Sequence, residues 1–158
     1  MRSLSLTLSR MCISLWCGAG MMFVVLLLAL RSSPLFDNEI KLDQAKVLFP
    51  WFYGCEFALL AGALVFGALA GRSLPRRQVY MALVATALAL AIGDYLWIYR
   101  PLESMLHQPA LPMNFRDLHH LSRTVNTVNL GLCLIAALLI QWPSASEQPQ
   151  IEESTPRG

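Results

Sequence analysis

Four apolar blocks, each close to the length that crosses a bilayer, constrain this chain more than any other feature. A helix needs about 20 residues to span a hydrocarbon core ~30 Å thick. Helices are the expected form, because lipid offers backbone N–H and C=O groups no partner and a helix satisfies them internally. The blocks predict spans at about 11–30, 47–70, 79–99 and 115–142. Charge agrees: only 14% of the 158 residues are charged and 56% are hydrophobic, whereas a soluble domain carries roughly a quarter charged residues. Residues 1–142 therefore read as an all-α, integral membrane four-helix bundle. The polar, proline-containing stretch 143–158 reads as a disordered cytoplasmic tail. A formal net charge of +2 is too small to argue for nucleic acid, and the bilayer is the first partner.

The connections support this division. The basic start of the chain leads into an apolar run longer than the ~7–15 residues of a signal peptide, with no small-x-small cleavage site after it. It predicts a retained first span, with Gly18 and Gly20 giving a smooth face beside Trp16. Pro34 stops that span, and Asp37 to Lys46 is expected as an amphipathic turn or short helix along the surface. Phe49, Trp51, Phe52 and Tyr53 open the second span, and Tyr95, Trp97 and Tyr99 close the third, as aromatic belts at the interfaces. Gly62, Gly67 and Gly71, with Ala58 and Ala63, suit close helix packing. Arg100-Pro101 ends the third span, and Asn114 is the expected N-cap of the fourth, with Asp117 in its first turn. Arg2, Arg10, Arg72, Arg76 and Arg77 gather on one side in short segments, which places both termini in the cytoplasm.

Ionisable groups inside spans cost about 2.5–3.5 kcal/mol each at the bilayer centre, so they are expected to face the bundle interior. Three stand out: Glu56, Asp94 and Arg123. At ~1.5 Å per residue, Glu56 lies roughly 9–10 Å in from Pro50, Asp94 about 7–8 Å in from Tyr99, and Arg123 roughly 12 Å in from Phe115. All three fall at one depth in the same leaflet. His119, Ser122, Arg123 and Asn126 recur at the spacing of a single helical face, continued by Thr127 or Asn129. The candidate cluster is therefore Glu56, Asp94, His119, Ser122, Arg123 and Asn126, with Arg123 paired to the acids. It reads either as a buried ion pair that fixes helix register or as a pocket for a small ligand, ion or proton.

Other chemistries find less support. Haem would need opposed axial ligands, but His119 and His120 are adjacent, about 100° apart on a helix, and His107 is in a loop. Cys12, Cys17, Cys55 and Cys133 lack zinc-site spacing and read as small packing residues. No metal or cofactor is expected.

Phe115-x-x-Leu118-His119-x-Leu121-Ser122, followed by Asn126 or by Asn129-Leu130, resembles the F-x-x-L-H-x-x-S…N-L signature of the transmembrane protein 205-like family, catalogued in bacteria as domain of unknown function 4149. Leu15-Trp16-x-Gly18 with Phe23, Pro34-Leu35-Phe36 and Arg100-Pro101 extend the resemblance over about Leu15 to Ile140. It implies a small four-helix integral membrane protein, without an established biochemical activity, in the bacterial inner membrane. The positions it marks are Trp16, Gly18, Pro34, Phe36, Phe115, His119 and Ser122, with an Asn. His120 doubles the histidine, and Arg123 stands where an aliphatic residue is expected, which implies local compensation by Asp94 or Glu56.

The function expected is that of a non-enzymatic structural or accessory membrane component, packing as a homo-oligomer or against another membrane protein. The alternative is a small transporter or ion- or proton-handling protein using the same cluster.

Overall fold

Apolarity cannot choose the inside of a bundle that sits in lipid, because hydrocarbon is as apolar as leucine; small and polar side chains choose it instead. The computed structural model describes residues 2–71, 75–106 and 112–142 and is an all-α four-helix bundle. Its helices are α1 (Arg2–Ser32), α2 (Asn38–Leu69), α3 (Pro75–Leu106) and α4 (Phe115–Gln141). All four are long and apolar enough to cross a membrane. Short connections make successive helices antiparallel, and packing runs from α1 to α2, α3, α4 and back to α1. Arg72, His107, Pro109 and the expected tail 143–158 lie outside the described residues.

The inward residues alternate at steps of three and four. On α2 they are Tyr53, Glu56, Leu60, Ala63, Gly67 and Ala70; on α3 they are Tyr80, Val84, Ala87, Ala91, Asp94 and Ile98. Ser9, Ile13, Trp16 and Gly20 on α1, and Asn129, Cys133, Ala136 and Ile140 on α4, continue the rule. That mean step of about 3.5 residues is the repeat of a left-handed bundle. Close approach depends on the missing side chain of Gly67, where a Cβ would stand 2.5 Å from Met81 Sδ and 3.3 Å from Ser9 Oγ. Gly20 likewise meets Leu130, but Gly18 faces open space, so the smooth face expected of α1 is only half used.

The first three helices differ in extent from the sequence expectation, and the reasons are local. α1 begins at Arg2 rather than near residue 11. α2 absorbs the supposed surface segment: Asp37 Oδ1 accepts the Ile40 N–H at 2.9 Å, so the helix starts there and passes through Pro50. It ends where Gly71 takes φ 86, the left-handed region that glycine enters at least cost. α3 does not stop at Arg100-Pro101. It widens into a π-helical turn over Asp94–Tyr99, with the Arg100 N–H donating to Tyr95 O, and continues as an α-helix over Arg100–Leu106. Proline lacks an N–H and crowds the carbonyl four residues back; the wide turn relieves that strain and turns both Ile98 and Tyr99 inward. Asn114 occupies the N-cap position of α4 but makes no side-chain cap bond.

At one end of the bundle, arginines take up the carbonyls left without partners at helix C-termini. Arg10 donates to Ile140 O at 3.0 Å, Arg76 to Leu139 O and Trp142 O, and Arg77 to Gly67 O. The aromatic belts at the other end divide. Trp51 and Trp97 are exposed at 74% and 76%, while Tyr53 and Tyr99 turn into the core with ring centroids 4.8 Å apart.

Candidate functional site

The inward stripe of α2 carries a carboxyl, Glu56, one turn deeper than Tyr53, and the π-helical turn of α3 brings a second carboxyl, Asp94, to Tyr53 itself. Asp94 is 2% exposed, and its Oδ2 accepts three hydrogen bonds. Tyr53 donates its hydroxyl from α2, Ser122 its hydroxyl at 3.1 Å from α4, and Asn126 its amide at 2.8 Å from α4. Asn126 also reaches the Ser122 carbonyl at 3.0 Å, which sets the orientation of its amide. Glu56, with no exposure at all, accepts from Asn129 Nδ2 on Oε1 at 2.5 Å. That bond runs between α2 and α4 across the centre of the bundle. Glu56 Oε2 and Asp94 Oδ1 are buried and have no hydrogen-bond partner. Their donors Asn126 and Asn129 stand three residues apart on α4, so the two carboxyls occupy neighbouring layers of one interior.

Of the six residues expected in the cluster, Glu56, Asp94, Ser122 and Asn126 come together. His119 and Arg123 do not. Both are exposed, and His119 lies parallel to the ring of Phe115 at 6.2 Å. Among the described residues no cationic side chain bonds either carboxyl, so the expected ion pair is replaced by neutral donors. Helical geometry accounts for this. Ser122, Asn126, Asn129 and Cys133 share the 3–4 step that faces inward, and Arg123 is turned about 100° from Ser122. A long arginine stem can lie on apolar surface while its charged head stays at a polar boundary, so the exposed position is open to it.

Tyr53 belongs to the cluster although its place among Trp51 and Phe52 suggested an interfacial aromatic. The available signal was its spacing, three residues before Glu56 on one helical face. Aromatic rings close the cluster on its outer side: Tyr95 lies 5.2 Å and Tyr99 4.8 Å from Tyr53, and Phe57 packs at 5.5 Å on Tyr95.

A second buried polar contact, not anticipated from sequence, lies toward the arginine end. Ser9 Oγ donates to Ala63 O at 2.8 Å and shares a hydrogen bond with Tyr80 Oη, also at 2.8 Å, tying α1, α2 and α3. Among the family-motif positions, Trp16 is in the core, Gly18 and Pro34 are exposed, and Phe36 and Phe115 are half-buried. Among the described residues no three His, Cys, Asp or Glu side chains are grouped so as to hold a metal ion. Cys17 and Cys133 are buried, Cys12 is half-buried against Gly62, and Cys55 is exposed. Comparison of the chain with protein-family models, with curated proteins and with solved structures returned no match.

Proposed function

We propose that this chain is a non-enzymatic structural or accessory component of a membrane, with helices held in register by a carboxylate-centred polar layer. One observation carries the reading: a single oxygen of Asp94, on α3, collects donors from α2 and α4 together. Groups that act on a substrate must be reachable, and Glu56, Asp94 and Asn129 are buried. Replacing Asp94 by Ala removes the acceptor that three donors share and strands the Tyr53 and Ser122 hydroxyls, so the folded fraction and the unfolding midpoint in detergent should fall sharply; Asp94→Asn keeps an acceptor and should recover part of the loss. An Asp94→Ala protein as stable as the parent would sink the reading.

The remaining expectations enter as parts of the same proposal. They are membership of the transmembrane protein 205-like family, a bacterial inner membrane and cytoplasmic termini. Self-association would use α2, where Gly54 and Ala58 are exposed four residues apart and a Cβ on Gly54 would meet nothing. Cys55, exposed beside them, is a natural reporter: mild oxidation of membranes should give a covalent dimer that Cys55→Ser abolishes. Absence of that dimer removes this face as the contact.

A second reading, a proton- or ion-handling protein, is favoured by the two orphaned oxygens, Glu56 Oε2 and Asp94 Oδ1. It predicts a flux in proteoliposomes that Glu56→Gln abolishes while the amount of folded protein is kept.

A further inference from the structure

The two buried carboxyls are not equivalent. Asp94 has three donors on one oxygen, a set that matches an acceptor-only carboxylate. Glu56 has one donor, Asn129, on Oε1, and nothing on Oε2. Both lie in the same low-dielectric interior, where two anions without a cation are not tolerated and where environments that differ in donors sort a pair into one ionised and one protonated member. The titratable groups around them give no counter-charge: Tyr53 from α2, Tyr95 and Tyr99 from α3 against its ring, and Cys17 and Cys133 from α1 and α4. Arg123 and His119 face outward.

We propose that Glu56 is a proton-binding site: it holds one proton on Oε2, beside an Asp94 that stays ionised, so the pair carries a single negative charge. This rests on the proton-handling reading only for where that proton could go; its presence follows from the donor sets. A proton fits better than a metal cation. Hard cations take six or more oxygens, and only two acceptor oxygens of the pair are unused here. In the protonated form Glu56 keeps its Oε1 as acceptor for Asn129 and no longer places a second anion in the bundle interior.

Two measurements on the purified full chain in lipid nanodiscs test the assignment. Infrared spectroscopy at neutral pH should show the carbonyl stretch of a protonated carboxyl, and Glu56→Gln should remove it. Gln has the shape of a protonated glutamate, so the variant should fold. Should it fail to fold, the parent protein still decides the matter. In protein labelled with carbon-13 at the glutamate side-chain carboxyl the band should move to lower frequency, and in protein labelled at the aspartate side-chain carboxyl it should stay. A parent protein with no protonated-carboxyl band, a band that persists in folded Glu56→Gln, or a band that moves with labelled aspartate and not with labelled glutamate would overturn the proposal. A sodium-dependent loss of the band would replace the proton by a cation and overturn it as well. Flux is measured separately: a band at Glu56 without any flux keeps this assignment and removes only the proton-handling reading.

Discussion

Two buried polar layers tie the helices together, and they use different chemistry for the same task. Toward the arginine end, Ser9, Tyr80 and the Ala63 carbonyl join three helices with two neutral hydrogen bonds at 2.8 Å. Toward the other end, Tyr53, Asp94, Ser122 and Asn126 also join three helices, but around a carboxylate. Beneath it Glu56 and Asn129 bridge the diagonal. Register alone needs only the first kind. Hydroxyl contacts between membrane helices contribute modestly, about 0.6 kcal/mol on average, and carry no charge to desolvate. A buried carboxyl costs several times more to place. Asp94 offsets that cost with three donors. Glu56 does not, and this surplus of acid over donors separates a layer that only fastens from one that also stores a proton.

The comparison breaks first at Asp94. Asp94→Ala takes the acceptor from the buried Tyr53 hydroxyl and the part-buried Ser122 hydroxyl, while Asn126 keeps its bond to the Ser122 carbonyl; at about 1–3 kcal/mol for each stranded donor, the total loss is roughly 2 kcal/mol or more. Unfolding in mixed detergent, followed by far-ultraviolet circular dichroism, measures it. Ser9→Ala sharpens the contrast from the other layer. It removes the hydroxyl between Ala63 O and Tyr80, and the expected loss is about 1 kcal/mol. Equal losses at the two positions would mean that the carboxylate adds nothing to a hydroxyl, and the distinction between the layers would fall.

How much of this was legible before coordinates follows from what lipid hides. Length and composition were enough for four spanning helices, because backbone satisfaction leaves a membrane segment little choice. The inward faces were harder. With leucine, valine and alanine on all sides, hydrophobic periodicity carries little information, and only residues that are costly in lipid mark the interior. Glu56 and Asp94 are such residues, and their depths follow from counting along the helices. Tyr53 was hidden because an aromatic near a helix end has two stable places, the interface and the core. Three consecutive aromatics, Trp51, Phe52 and Tyr53, split between exposed, half-buried and buried. The π-helical turn had a legible cause in Pro101, but a proline after an aromatic belt reads as readily as a helix stop. Ser9 and Tyr80 carried no charge to draw notice.

Arg123 is the instructive failure, and its substitution has the smallest expected effect. On cost alone a guanidinium inside a span should turn inward to an acid, and depth placed it level with Glu56 and Asp94. The rotation of α4 decides otherwise: Ser122 and Asn126 occupy the inward positions, and Arg123 is exposed. Its long stem lets the charge leave the hydrocarbon without leaving the helix, an escape open to arginine and closed to aspartate. Arg123→Ala should therefore change stability by about 0.5 kcal/mol or less, the range of surface substitutions away from buried networks, and His119→Ala should behave the same way. A loss from Arg123→Ala comparable to that from Asp94→Ala would return the cation to the carboxylates. Asp94 and Glu56 could then both be ionised against it, and the difference between a fastening layer and a proton-bearing one would disappear with the missing countercharge.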